Sequence, residues 1–213
     1  MIIPKLHYLS QGNSPQEHLN NIQKACTAGI ELVQLDVKGV SEKRISKIAH
    51  EAREITAHYQ TRLLITDNSK LAIAIKADGV HWTPLGSAPT AIRKQLYSWQ
   101  MLGGTANTFQ HCEDLIAKEV DYIRLGPFRP DATPDNNVTP LSLDGYLAIT
   151  DVLKTKTPIL AFGGIYTTDV DTLLTSGVSG IAVSNAISQN FDSIRTFHQL
   201  LNASSTAEQR HTF

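Results

Sequence analysis

Eight short apolar runs alternate with amphipathic stretches along the 213 residues of this chain. Each run is a few residues long, is mostly aliphatic or β-branched, and ends in a polar or glycine-rich turn, as buried strands do. The stretches between them carry apolar residues at helical spacing, and one begins with Ser14 and Pro15 and ends at Gly29, which are typical helix start and stop signals. The alternation predicts a parallel sheet with crossover helices. The predicted strands cover residues 5–10, 32–36, 63–66, 79–81, 101–105, 122–125, 158–162 and 180–183.

Eight such units can close into a (β/α)₈ TIM barrel, a fold of the α/β class whose size begins at about 200 residues. An open, doubly wound sheet is the alternative. No linker interrupts the pattern, so we expect one barrel domain over residues 1–203. The last residues, 204–213, lack apolar periodicity and are predicted to form a disordered tail.

The bulk composition disfavours several classes of partner. Nineteen basic side chains face twenty acidic ones, and a formal charge of -1 gives no electrostatic reason to bind nucleic acid or an anionic membrane. No apolar run approaches the roughly 18 residues of a membrane span. Cys26 and Cys112 are far apart in helix-like segments, which predicts two inert core thiols in a reduced, cytoplasmic chain rather than a disulfide.

Polar side chains follow most of the predicted strands, at the end of a TIM barrel that carries function. Two of them have structural alternatives. Asp67 in "TDNS" could equally cap a helix, and a lone histidine such as His81 is more often a hydrogen-bonded structural group than a ligand contact. The candidates are Gln34, Asp36, Lys38, Thr66, Asp67, Asn68, His81, Thr105, Asn107, the loop 126–140, Gly163, Gly164, Ser184 and Asn185.

The turns after the last two predicted strands, in "LAFGGIYTTDV" and "GIAVSNAI", predict a phosphate site. Gly163 and Gly164 let backbone N–H groups approach phosphate oxygens, and Ser184 and Asn185 stand where a helix would begin. The structural alternative is a tight Gly-Gly turn beside a serine that only caps a helix. The pairing of both features at the last two turns favours phosphate.

Six motifs, in order, resemble the thiamine phosphate synthases and their thiazole tautomerase relatives over about residues 7–201. They read "ELVQLDVK", "ITDNSKLAIAIKADGVHW", "LGGTAN", "YIRLGPFRPDAT", "AFGGI" and "GIAVSNAI". The resemblance implies a (β/α)₈ barrel that joins an aminopyrimidine diphosphate to a thiazole phosphate with the help of Mg²⁺. Such a reaction ionises the diphosphate ester, and the thiazole nitrogen captures the pyrimidine methylene cation.

The resemblance also implies roles for residues at the diphosphate end of the site. Gln34 matches a glutamine that lines the diphosphate and pyrimidine pocket, and Lys38 matches a lysine on the diphosphate. Asp67 matches the first magnesium aspartate. Thr105 replaces a serine near the pyrimidine and keeps its hydroxyl. Lys38 and Thr105 are therefore the predicted catalytic residues.

At the other end, Thr133 matches a threonine that holds the thiazole phosphate. Gly164, with Ser184 and Asn185, matches the backbone phosphate cradle. Gly163, His81 and Arg129 complete the predicted substrate-binding set.

Three departures from the family pattern remove cations or a metal ligand. Asp36 stands where the family has an arginine, Pro134 stands where the opening loop has a lysine, and no carboxylate lies near Gly86, where the second magnesium aspartate is expected. The charge at these matched positions changes from +1 to -1. Arg129 and Lys70 are the cations that could compensate, and Asp36 could replace the missing metal ligand.

Three functions remain open at this stage. The leading one is a thiamine phosphate synthase-like transferase with an intact phosphate half and an eroded diphosphate half. The first competitor is a thiazole tautomerase-like isomerase with His81 or Asp67 as its base. The second is a non-catalytic paralogue that binds a thiazole or thiamine phosphate. A homodimer is also left open.

Overall fold

The computed structural model describes residues 2–84, 89–130 and 138–210, with side chains described as far as Asn202. Eight parallel strands close into a barrel in chain order, with β1 paired to β8. The predicted TIM barrel is confirmed, and the open doubly wound sheet is excluded because the barrel closes. The strands are β1 (Leu6–Leu9), β2 (Leu32–Leu35), β3 (Arg62–Thr66), β4 (Gly79–Trp82), β5 (Met101–Ala106), β6 (Tyr122–Leu125), β7 (Ile159–Phe162) and β8 (Gly180–Val183).

Helices follow the strands and pack on the outside of the barrel. The first begins as its sequence indicates, because the Ser14 hydroxyl accepts a hydrogen bond from the Glu17 amide and Pro15 occupies the first turn. The helices are α1 (Pro15–Thr27), α2 (Glu42–His58), α3 (Ser69–Ala74), α4 (Pro89–Arg93), α5 (Phe109–Ala117), α6 (Leu143–Leu153), α7 (Val170–Thr175), α8 (Asn185–Gln189) and α9 (Ser193–Arg210), with a 3-10 helix over Thr167–Asp169.

The end of the chain overlaps the predicted tail. Helix α9 runs to Arg210, while the side chains beyond Asn202 and all of residues 211–213 lie outside the described residues. The disordered tail therefore stays a prediction. Within the described part of the chain, none of the helices has the length and apolarity needed to cross a membrane.

Two separate apolar clusters hold the barrel together. The larger one lies between the sheet and the surrounding helices and includes both cysteines, which are buried free thiols as predicted. The smaller one fills the barrel interior and consists of Leu32, Leu64, Met101, Tyr122 and Leu160. Side chains two positions further along a strand point to the same face of the sheet. The next interior layer, towards the carboxyl ends of the strands, is therefore set by the residues two positions after this cluster.

Candidate functional site

The interior layer above the apolar cluster is polar. It contains Gln34, Thr66 and Arg124, each two residues after a member of the smaller cluster on its own strand. The Gln34 amide nitrogen donates to the Thr66 hydroxyl at 2.9 Å, and that hydroxyl donates to the Leu35 carbonyl at 3.1 Å. The carboxyl end of the barrel interior is thus lined by hydrogen-bonding groups rather than by more aliphatic packing.

Arg124 joins the two sides of this layer. Its guanidinium donates to the Gln34 amide oxygen at 2.9 Å and to the Thr105 hydroxyl at 3.0 Å. The guanidinium lies over the Phe162 ring at 4.9 Å, and the residue is only 8% exposed. Arg124 was missed as a site residue because it lies inside an apolar run. The two-residue alternation from buried Tyr122 was the signal that could have found it.

His81 belongs to the same network but is fully buried. Its Nδ1 lies 2.7 Å from the Tyr122 hydroxyl, and its Nε2 lies 2.8 Å from the Thr105 hydroxyl. Burial lowers the pKa of His81 well below its usual value, and the charge of Arg124 lowers it further. Both ring nitrogens are occupied by barrel side chains, so the geometry favours the structural alternative for His81 over contact with a ligand.

A second buried histidine, His7 on β1, packs edge-on against Tyr122 with ring centroids 5.0 Å apart. Burial, with Arg124 adding to it, lowers the pKa of His7 to about 3. Both histidines are therefore neutral near pH 7. In the described polar layer, the positive charge of Arg124 lies among neutral rings and hydroxyls.

Asp67 is held by the loop that follows β4. Its carboxylate accepts hydrogen bonds from the Thr83 amide at 2.7 Å and from the Thr83 hydroxyl, and its backbone has a positive φ of 52°. Burial raises the pKa of Asp67, and nearby Asp36 adds to this effect, whereas the bonds from Thr83 and the charge of Arg124 oppose it. It is Asn68, not Asp67, that caps α3, by accepting from the Leu71 amide at 2.9 Å.

Asp36 and Lys38 lie on the loop after β2. The Lys38 ammonium is 3.8 Å from the Asp36 carboxylate and is 81% exposed. The described residues, 2–84, 89–130 and 138–202 for side chains, contain no group of three or more His, Cys, Asp or Glu side chains that could hold a metal ion. The region around Gly86, where a second metal ligand was sought, lies outside them, as does Thr133.

The turns after β7 and β8 face one cleft of about 400 Å³, part of it open to solvent. Gly163 and Gly164 both have positive φ, at 95° and 58°, and line the cleft together with Ser184 and Asn185. An added Cβ at Gly163 would lie 2.4 Å from the Pro127 side chain, so only glycine fits there. The fold brings these four residues to one cleft.

Several backbone N–H groups of this cleft have no acceptor among the described residues. The backbone N–H groups of Gly164, Ser184 and Asn185 donate to no backbone group in the described part of the chain. The Ser184 side chain does not cap α8, so the structural alternative for that serine is not observed. An anion in the cleft would find amide and hydroxyl donors within reach.

Arg129 does not enter the barrel interior. Its guanidinium makes two bonds to the Asp169 carboxylate, at 2.6 and 2.7 Å, and one to the Gly164 carbonyl at 2.7 Å. The Asp169 carboxylate also accepts from the Tyr166 amide at 2.8 Å. Arg129 therefore braces the Gly164 turn with its charge balanced by Asp169, and the extra cation beside Gln34 is Arg124 instead.

Comparison with known proteins places these features in one family. The sequence model of the TMP-TENI family, described as thiamine monophosphate synthase, matches residues 8–187. The chain is 36% identical over 199 residues to the thiamine-phosphate synthase of Flavobacterium psychrophilum, covering 92% of this chain and 97% of the relative. It is 30% identical over 204 residues to that of Bacteroides fragilis, covering 92% and 98%.

Solved structures share the fold at lower identity. The thiamine phosphate pyrophosphorylase from Pyrococcus furiosus superposes with a TM-score of 0.81 at 21% identity, covering 93% of this chain and 96% of that one. A 3-hexulose-6-phosphate synthase superposes with a TM-score of 0.67 at 15% identity, covering 94% and 99%. At these identities the superpositions establish the barrel alone.

Proposed function

We propose, because this chain belongs to the thiamine monophosphate synthase family, that it is a transferase of thiamine biosynthesis that couples an aminopyrimidine diphosphate to a thiazole phosphate. The observation that carries the proposal is the cleft shared by the turns after β7 and β8, which opens beside the polar barrel interior. Relatives named thiamine-phosphate synthase cover nearly the whole chain, and none of the similarities favours the tautomerase or the non-catalytic binder.

The thiazole phosphate is assigned to this cleft. Free amide N–H groups and the Ser184 hydroxyl are suited to a phosphate group because they donate without adding a side-chain charge that must be desolvated. Thr133 is expected to contribute from the loop after β6.

The diphosphate is assigned to the rim formed by the loops after β2 and β3. Lys38 would contact its oxygens, and negative charge that develops on the leaving group needs such a cation. Asp67 keeps unused lone pairs beside its two bonds from Thr83, and Asp36 lies near enough to raise its pKa, so the pair suits a hard cation. Mg²⁺, when bound there by Asp67 and Asp36, would neutralise the diphosphate oxygens.

We also propose that coupling by this chain is slow. Adding Arg124 to Lys38, Asp36 and Asp67 brings their summed formal charge from -1 to zero. However, Arg124 lies in the barrel interior rather than at the rim where the diphosphate is assigned. Lys38 is the rim cation, and it is already 3.8 Å from Asp36. A cytoplasmic location belongs to this proposal, and the homodimer stays a prediction.

The test is coupling by the purified chain. Incubation with aminopyrimidine diphosphate, thiazole phosphate and Mg²⁺ should form thiamine phosphate and release diphosphate, and chelation with EDTA should stop product formation. Asp67→Asn should lower the rate at least about tenfold, since it removes charge from the proposed metal ligand. Absence of product above the EDTA control would reject the transferase. Turnover of the thiazole tautomer alone, surviving EDTA, would favour the isomerase.

A further inference from the structure

The side chain of Arg124 crosses the barrel interior. β2 and β6 lie four strands apart in either direction around the closed sheet, so they face each other across the barrel. The bond of 2.9 Å from the Arg124 guanidinium to the Gln34 amide therefore spans the interior at the level of the polar layer. A ring that enters the interior to this depth therefore meets this guanidinium.

Arg124 also occupies the polar groups that a ring at this depth would use. The Gln34 oxygen accepts from Arg124, while its nitrogen donates to Thr66. The Thr105 hydroxyl contacts both Arg124 and His81. A hydroxyl offers one donor and two acceptor positions, so little capacity remains on Thr105 for a ligand.

The position of the guanidinium is stabilised from the β7 side by Phe162, whose ring centroid is 4.9 Å away. Such stacking is stronger when the cation is shielded from water, as Arg124 is at 8% exposure. Its charge also acts on the ionisation of His7, His81 and Asp67. A fixed positive charge at this point disfavours a reaction that develops a cation on a neighbouring ring.

We infer that Arg124 is a specificity-determining residue that fills the aminopyrimidine half of the site, so that the ring binds only when the guanidinium leaves Gln34 and Thr105. This inference rests on the proposed function and on the family resemblance, which implies that those two residues lie near the aminopyrimidine. The phosphate cleft is lined by other residues and stays open to the thiazole phosphate. The chain therefore takes the monophosphate substrate readily and the pyrimidine poorly.

The experiment measures two binding constants by calorimetry. The first probe is the neutral aminopyrimidine alcohol, which has the ring without the diphosphate, and the second is thiazole phosphate. Arg124→Ala removes both bulk and charge, while Arg124→Met removes the charge and keeps most of the bulk. Arg195→Ala, on the exposed face of α9, is the matched control for losing an arginine.

We expect Arg124→Ala to bind the aminopyrimidine alcohol at least about tenfold more tightly than the unaltered chain, because the space and both hydrogen-bonding partners become available. Arg124→Met should gain less than about threefold, and Arg195→Ala should gain nothing. Thiazole phosphate should bind all four proteins within about a factor of two.

Equal or weaker binding of the alcohol by Arg124→Ala would overturn the inference, as would an equal gain in Arg124→Met. If Arg124→Ala does not fold, as judged by circular dichroism, Arg124→Ser takes its place. Serine is short and neutral, and it must show the same gain in affinity over Arg124→Met. Failure of thiazole phosphate to bind the unaltered chain would count against the proposed function instead, because Arg124 does not line that cleft.

Discussion

The two rims of this barrel present different chemical groups. The rim after β7 and β8 presents main-chain amides, held by two glycines with positive φ. The rim after β2 and β3 presents the side chains of Asp36, Lys38 and Asp67, which are charged and have partners within the rim or on Thr83. The rim after β7 and β8 keeps its amide donors when most side chains are substituted. The rim after β2 and β3 changes its charge with a single substitution.

We propose that this difference makes the two substrate-binding rims unequal. A backbone site depends on φ and on space, and Gly163 satisfies both conditions where a Cβ would clash with Pro127. A side-chain site depends on charge, and Asp36, where the resemblance implies an arginine, would reverse that charge without any change in the barrel. The sharpest experiments therefore alter backbone freedom on one rim and charge on the other.

The largest effect is expected for Gly163→Ala. Alanine at φ 95° is strained, and its Cβ would lie 2.4 Å from the Pro127 Cβ, so the turn must shift. We expect a loss of about 3 kcal/mol in the free energy of unfolding and at least about a tenfold loss in thiazole phosphate affinity. Gly29→Ala is the control, since Gly29 has a similar φ of 89° with nothing within 4 Å of an added Cβ. It should cost about 1 kcal/mol and leave phosphate binding unchanged; equal effects of the two variants would show that the clash is unimportant.

The opposite rim should respond to charge. Asp36→Arg replaces a carboxylate with a cation near Lys38 and Asp67. This change should raise the affinity for inorganic diphosphate with Mg²⁺ by about tenfold, measured by calorimetry at low salt. Asp192→Arg makes the same charge change on an exposed residue preceding α9 and should have little effect. A gain equal to that control would mean that net charge, not the rim, governs binding.

The buried histidines should make stability depend on pH. The pKa of His7 is lowered to about 3 by burial and by Arg124, whereas an unfolded histidine titrates near 6.5. Below about pH 6.5 the unfolded chain binds a proton that the folded chain does not, so stability is fully present above that pH and is lost as pH falls toward 3. His7→Phe keeps the aromatic contact with Tyr122 but cannot take up a proton. In denaturation experiments between about pH 6 and pH 4, it should reduce the loss of unfolding free energy by about 1 kcal/mol per pH unit. If the unfolding free energy of His7→Phe depended on pH as that of the exposed control His50→Gln does, the role of His7 would be refuted.

The barrel was predictable from sequence because each short strand is punctuated by turn residues and each helix repeats its own period. β6 and β8 have the predicted bounds, and each of the other strands differs by one residue at one or both ends. The meeting of the turns after β7 and β8 at one cleft was predictable for a related reason, since glycine marks the backbone geometry directly. Neither signal reports which long side chain crosses the interior, so Arg124 was overlooked and Arg129 was considered in its place. The partner of Arg129, Asp169, is forty residues away in sequence and becomes a neighbour only when β6 and β7 pair.

The smallest effect is expected at that brace. Asp169→Asn leaves the Arg129 guanidinium with a weaker acceptor while its bond to the Gly164 carbonyl can persist. Because the Arg129 side chain is 43% exposed, water screens the pair, and the loss of unfolding free energy should be only about 0.5 kcal/mol. The Gly164 turn should loosen, which we expect to weaken thiazole phosphate binding about twofold to fourfold without changing aminopyrimidine binding. Asp171→Asn, an acidic residue in the first turn of α7, is the control. If Asp169→Asn tightened phosphate binding, Arg129 released from its partner would be a direct phosphate ligand, and the two rims would be less different than their described contacts indicate.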